Sequence, residues 1–170
     1  MTAVEITVPA TVACAGGQLR FEEDGRVALI GPEGRETSVS VPEHKLSNFI
    51  ELWCGPGWAC FVGSKSRSLW CVWPASGTLA CVGELERLDL RGRYDPGGLH
   101  RVEFHELPGG DLLVVYEFGL ARLTAAGRLC WQQVHEQLTA HLDGVEAGVA
   151  WFQGEDERFG FRVDNGHRVV

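Results

Sequence analysis

The sequence predicts an all-β chain: an antiparallel sheet or sandwich of repeated hairpins, with a small propeller-like arrangement second and at most one or two short helices. Three observations carry this. A unit recurs, made of a short β-rich run, a turn, a second run, a small-residue turn ending in Gly, and a third run. The turns hold Gly, Asp-Gly or Asn-Gly, whose tolerance of positive φ suits the primed turns of antiparallel hairpins. Runs such as SLWCVW are apolar on both faces, as central strands are.

Along the chain, the faintest copy comes first: QLRFEEDGRVALIG, with Gly25 in the turn role. PEHKLSNFIELW follows and reads two ways. Leu46, Phe49, Ile50 and Trp53 fall at helical spacing, with Pro42 before them and Gly55-Pro56-Gly57 after, but a strand and loop fit as well. The clearest copy is WACFVG, SKSR, SLWCVW, PASG, TLACV over 58–82, with Gly77 in its turn. In SLWCVW, Leu69, Cys71 and Trp73 share one face, and Trp70 and Val72 the other.

GELERLDLRGRYDPGGLHR over 83–101 is polar and Gly-rich, so it reads as an exposed connection. The next copy, DLLVVYEFGLARL, TAAG, RLCWQ over 111–132, turns at Gly127. WQQVHEQLTAHL again fits helix or strand plus loop. The last copy, GVAWFQ, GEDE, RFGFRV, DNG, HRVV over 148–170, turns at Gly166. The terminal HRVV is a free edge unless a second copy or the N-terminal VEITV covers it. Gly25, Gly77, Gly127 and Gly166 lie 52, 50 and 39 residues apart, too irregular for a solenoid but near the length of a propeller blade. A single β-rich domain over 1–170, of three to four hairpin units, is expected.

The chain carries 15 Lys+Arg against 23 Asp+Glu, a net charge of −8, and a sequence pI near 5.2. Such a balance repels a phosphate backbone, so nucleic acid is not an expected partner. No apolar run is long enough to cross a bilayer and the first residues lack the basic segment of a secretory signal, so no membrane partner and a cytoplasmic location are expected. A chain of 170 residues buries enough surface to need no covalent staples, and its six cysteines are expected as reduced, mostly buried thiols. They form no CxxC and no zinc spacing. Between Leu52 and Val82 there is no Asp or Glu, but four Trp and four Cys. That composition suits a core hairpin, or else a partner surface.

A motif follows at 121–131, A-R-L-T-A-A-G-R-L-C-W. It resembles the blade motif of quinoprotein-type β-propellers, where an Ala, an acidic residue, a Thr-Gly turn and a Trp four residues after that Gly recur. Ala121, Gly127 and Trp131 match, while Leu123 replaces the acidic residue and Ala126 the Thr. The copies at Gly77 and Gly166 keep only the Gly and an apolar residue, Cys81 or Val170, four positions on. The segment from Phe118 to Trp131, with LDGV at 142–145 and the closing Phe161 to Gly166, also resembles short bacterial proteins of β-hairpin build that carry no assigned activity. Both resemblances imply a fold and no chemistry.

No phosphate loop, HExxH, GxSxG or kinase signature is present. The best constellation is His100, Glu103, His105 and Glu106. Alternation places Glu103 and His105 on one strand face, but a metal site needs a third aligned ligand, and a solvated strand edge explains them as well. His135 and His141 are expected at the surface, and Cys130, between Leu129 and Trp131, in the core. Glu155, Asp156 and Glu157 form a charged hairpin tip, a solubilising loop or a handle for a basic partner.

The function expected from this is a non-enzymatic interaction module, of inhibitor or immunity type or a subunit of a larger assembly. It would bind another protein, a basic one in the inhibitor or immunity form, through Trp53, Trp58, Glu155, Asp156 and Glu157, with self-association a further option. The alternative is a small metal-dependent enzyme or ligand binder using His100, Glu103 and His105. No cofactor is expected.

Overall fold

The computed structural model describes residues 4–41, 49–63, 67–86, 99, 101–137 and 139–169. Among them there are strands and turns but no helix, and so none long and apolar enough to cross a membrane. Four antiparallel sheets form, one for each sequence copy. The first holds β2 (Ala10–Cys14), β3 (Gly17–Phe21), β4 (Arg26–Ile30) and β5 (Glu36–Ser40). The second runs in the order β1 (Val4–Thr7), β6 (Phe49–Cys54), β7 (Ala59–Gly63), β8 (Ser68–Trp73) and β9 (Thr78–Glu84). The third is β10 (Val102–Glu106), β11 (Leu112–Tyr116), β12 (Gly119–Leu123) and β13 (Leu129–Val134). The fourth is β14 (His141–Glu146), β15 (Val149–Gln153), β16 (Arg158–Arg162) and β17 (Arg168–Val169).

Both ambiguous segments are strand where they are described. Phe49–Cys54 is β6, with 42–48 outside the described residues, and Leu129–Val134 and His141–Glu146 are strands on either side of a short connection. Burial decides these cases. Ile50 and Leu52 point to one face and Trp53 to the other, which a sheet covered on both sides satisfies and a one-faced helix does not. The VEIT segment lies beside β6 rather than beside the closing strand.

The sheets stack face on face, which is the propeller-like member of the expected arrangements. One core joins the first and second sheets through Leu19, Phe21, Val27 and Leu29 against Ile50, Phe61, Trp70 and Val72. The next joins the second and third through Cys60, Leu69 and Cys71 against Leu112, Val114 and Tyr116. The last joins the third and fourth through Leu113, Val115 and Leu120 against Phe152, Phe159 and Phe161. Each large apolar side chain so enclosed stabilises the stack by about 1.5–3 kcal/mol relative to exposure.

The outer faces of the two end sheets are charged instead. Arg20 and Arg26 pair with Glu36 at 3.1 and 2.7 Å over the first sheet. On the fourth, Arg158 stacks 4.8 Å from the Trp151 ring and pairs with Asp143 at 2.9 Å. Such surface pairs add little stability, but they keep a bare sheet face from stacking on another.

The turn glycines explain how neighbouring sheets lock. Gly77, Gly127 and Gly166 have φ of 68°, 73° and 75°, the left-handed region that other residues resist. Trp73 lies against Gly127 and its indole N–H donates to the Ala126 carbonyl at 3.2 Å. Trp131 lies against Gly166 and donates to the Val163 carbonyl at 3.1 Å. Each tryptophan of one sheet is thus clasped by the turn of the next. Gly25 does not share this place: it sits between β3 and β4, and the corresponding turn of the first sheet holds Gly34, with φ 76°.

The cysteines depart from the expectation of reduced, buried thiols. Cys14 of β2 and Cys54 of β6 form a disulfide across 40 residues, tying the first sheet to the second. Their strands face each other across the first core, which no spacing rule reveals. Cys60 and Cys71 are buried free thiols, whereas Cys81 and Cys130 are free and exposed, because Leu129 and not Cys130 points into the core.

Candidate functional site

The connection between β13 and β14 and the turn between β15 and β16 meet at one end of the stack. Together they enclose a recess of about 390 Å³ lined by Glu136, Gln137, Thr139, Glu155 and Asp156. The connection is fixed by backbone bonds: His135 N–H donates to the Phe118 carbonyl at 2.8 Å and Ala140 N–H to the Gln137 carbonyl at 3.1 Å. On the other side Gly154 N–H donates to the Glu157 carbonyl at 2.9 Å, closing the hairpin tip.

The structure divides the acidic run that the sequence singles out. Glu155 and Asp156 face the recess, where Glu155 accepts from the Thr139 hydroxyl at 3.1 Å. Glu157 is exposed as well but does not line the recess: it pairs with Arg168 at 2.9 Å and accepts from Gln137 Nε2 at 2.8 Å. Glu136 takes its place as the third carboxylate of the rim. Nothing in the sequence singles out Glu136, because it lies on a different connection.

Trp53 and Trp58 cannot serve a partner. They are only 3% and 5% exposed, packed against each other with ring centroids 4.7 Å apart inside the core between the second and third sheets. Trp53 Nε1–H donates to Glu106 Oε1 at 3.1 Å, which satisfies the one polar atom of a buried indole. Three of the four tryptophans of this acid-free stretch, Trp53, Trp58 and Trp70, thus lie in the core, and Trp73 is half-buried against the Gly127 turn.

Glu103 and His105 do share a face of β10, with His105 Nε2 and Glu103 Oε2 3.1 Å apart. Arg101 Nε approaches the other Glu103 oxygen at 3.6 Å. His100 lies outside the described residues. Close by on β6, burial and then the charge of Glu5 raise the pKa of Glu51 above the usual carboxylate range. Among the described residues no three His, Cys, Asp or Glu side chains are placed to hold a metal ion.

His135, expected at the surface, is 2% exposed. Its ring sits 5.4 Å from both Phe152 and Phe159 in the core between the third and fourth sheets. Burial, and then the charges of Arg101 and Arg168, lower its pKa to about 4, so it is neutral at physiological pH. His141, by contrast, is exposed, as expected.

Stacked antiparallel sheets, three of four strands and one of five, define the class as all-β and propeller-like. No protein-family model and no curated relative matches the chain. Similar solved structures are β-propeller-type proteins. The dihydro-heme d1 dehydrogenase NirN, solved in complex with DHE, aligns at 12% identity and TM-score 0.48 over 97% of this chain and 36% of its own. A streptogramin B lyase aligns at 12% identity and TM-score 0.45 over 99% of this chain and 58% of its own. The extracellular domain of the one-component system BT4673 from B. thetaiotaomicron aligns at 13% identity and TM-score 0.41 over 94% of this chain and 21% of its own. The chain thus spans less than two thirds of each of these proteins.

Proposed function

We propose that the protein is a non-enzymatic interaction module that takes a basic protein partner on the rim formed by Glu136, Glu155 and Asp156. The observation that carries this is the convergence of three carboxylates from two connections on one recess. Lone charged tips are ordinary solubilising features, but a concave carboxylate rim on a chain of net charge −8 offers shape and field together. A lysine or arginine side chain of the partner fits such a recess, and the net charge steers the encounter. An inhibitor or immunity-type role is the concrete form that suits these features.

The test compares capture from native lysate by the parent chain and by Glu136→Lys/Glu155→Lys/Asp156→Lys, with Glu157→Gln as control. The expected result is one stoichiometric basic protein with the parent and the control, lost with the triple variant. Retention of that partner by the triple variant contradicts the assignment of the rim.

A metal-dependent site at Glu103 and His105 is the second reading, favoured by their 3.1 Å approach. Two donors fall short of the three that catalytic metal sites use, so this reading needs a further ligand. Stoichiometric metal in the purified protein that is lost in His105→Ala would support it. The Cys14–Cys54 disulfide bears on the compartment, since such bonds persist mainly in oxidising surroundings.

A further inference from the structure

Cys60 of β7 and Cys71 of β8 are Cα partners in the antiparallel ladder, so their side chains leave the sheet side by side on one face. Both are fully buried in the core between the second and third sheets, with Leu112, Val114 and Tyr116 across from them. Their sulfurs are in hydrogen-bond contact: burial, and then the bond with Cys71, push the Cys60 thiol well above its ordinary range. Neither cysteine is spent on the disulfide that ties the first sheet to the second. A single buried cysteine fills space as a small apolar residue does, but here sulfur meets sulfur.

Strand spacing sets what such a pair can do. Directly opposed residues of an antiparallel ladder have Cα atoms about 4.5 or 5.5 Å apart, inside the span of about 4.4–6.8 Å that a disulfide bridges. Their Cβ atoms stand about 4.5–5.5 Å apart, wider than the roughly 3.8 Å a relaxed bridge prefers, so closing one draws the two strands together. A bridge closed against that spacing is strained, and strained bridges are the readily reduced ones. It would also close a loop of only 71 − 60 = 11 residues, against 40 for Cys14–Cys54, and so gain less from loop closure.

We propose that Cys60 and Cys71 are a redox modification site, a dithiol that low-molecular-weight disulfides of the glutathione class convert reversibly to a cross-strand disulfide. One cysteine, as thiolate, attacks a sulfur of glutathione disulfide, forming a mixed disulfide and releasing one glutathione thiolate. The second cysteine, as thiolate, attacks the protein sulfur of that mixed disulfide and releases the other. The protein gives up two electrons and two protons, and glutathione disulfide takes them up as two thiols. Neither sulfur meets solvent in the folded chain, so the exchange runs through openings of the β7–β8 hairpin or before the third sheet closes over it. The site is independent of the acidic rim and of any partner bound there.

Thiol counting in the full chain carrying Cys81→Ser/Cys130→Ser, which removes the two exposed thiols, tests it. The chain is equilibrated with glutathione and glutathione disulfide from both sides, from the folded dithiol and by refolding of the reduced chain, then quenched and unfolded in an alkylating reagent. While Cys14–Cys54 stays closed, two thiols are expected at the reducing end of the series and none at the oxidising end. Cleavage after Trp58, Lys65 and Arg67 puts Cys54, Cys60 and Cys71 on separate peptides, and mass spectrometry should find Cys60 joined to Cys71. Opening Cys14–Cys54 should take a ratio [GSH]²/[GSSG] at least about tenfold higher than opening Cys60–Cys71. Two thiols persisting after refolding in buffer that closes Cys14–Cys54, a bridge from Cys60 or Cys71 to Cys14 or Cys54 instead, or equal ratios for the two bridges would overturn the proposal.

Discussion

Alanine substitution at turn glycines separates backbone strain from the sheet-to-sheet clasp. At Gly127 the backbone has φ 73°, and an added Cβ would stand 2.7 Å from Trp73 Cζ2 and 3.1 Å from Trp58 Cε3. The left-handed conformation alone costs alanine about 1–2 kcal/mol. Displacing two packed indoles adds about 1–3 kcal/mol, as overpacking of a tight core does. Gly34 has nearly the same φ, 76°, with nothing within 4 Å of its Cβ position, so Gly34→Ala carries the first cost only. Gly57 has open space and no positive φ, and Gly57→Ala should stay within about 1 kcal/mol of the parent.

Urea unfolding followed by tryptophan fluorescence should therefore rank the three, with Gly127→Ala below Gly34→Ala by about 1–3 kcal/mol at unchanged m. In a chain of this length that corresponds to a melting difference of several degrees, about 2–4 °C for each kcal/mol. Equal losses at Gly127 and Gly34 would show that the tryptophans do not clasp the turn and would refute the account of how the sheets are held.

Two further outcomes follow from buried groups. Unfolded, unreduced protein should titrate four thiols, those of Cys60, Cys71, Cys81 and Cys130, and Cys14→Ala/Cys54→Ala should lose about 3–4 kcal/mol, as removal of a cross-link over 40 residues does. Six titratable thiols would contradict the tie between the first two sheets. His135 is held neutral in the fold, with its pKa lowered from 6.5 to about 4, so the unfolded chain binds the extra proton first as pH falls. Its contribution is complete above the unfolded value and is lost on acidification through the window down to about 4, amounting to at most about 3 kcal/mol. Unfolding midpoints measured across that window should fall less steeply in His135→Gln, and an unchanged slope would place the acid sensitivity elsewhere.

The legible part of the fold is the part written in side-chain period. Leu69, Cys71 and Trp73 do face one core and Trp70 and Val72 another, as alternation requires. Leu112, Val114 and Tyr116 divide from Leu113 and Val115 in the same way. ACFVG and LLVVY, buried at every position, lie in the two middle sheets, whereas RFGFR, with Arg158 and Arg162 exposed, belongs to an end sheet. What lies against a face is not encoded in its period, so the stacking of sheets and the pairing of Cys14 with Cys54 were beyond the sequence. The same limit explains Trp53 and Trp58: a large ring without charged neighbours fits a core and a docking face equally, and only the third sheet decides.

The site was half legible. Glu155 and Asp156 stand out as a charge run, but Glu136 joins them only because the β13–β14 connection folds over the hairpin tip. Glu157 belongs to the same run and is spent on Arg168. Buried His135 escaped because its contacts, Phe152 and Phe159, come from the fourth sheet.

The association rate of the captured basic partner, measured at low and at physiological salt for the parent and for Glu136→Lys/Glu155→Lys/Asp156→Lys, tests the acidic rim most directly. Electrostatic steering predicts a parent rate that falls steeply with salt, and a triple variant slower by at least about tenfold at low salt. Equal rates for the two proteins at low salt would contradict the rim as the binding surface.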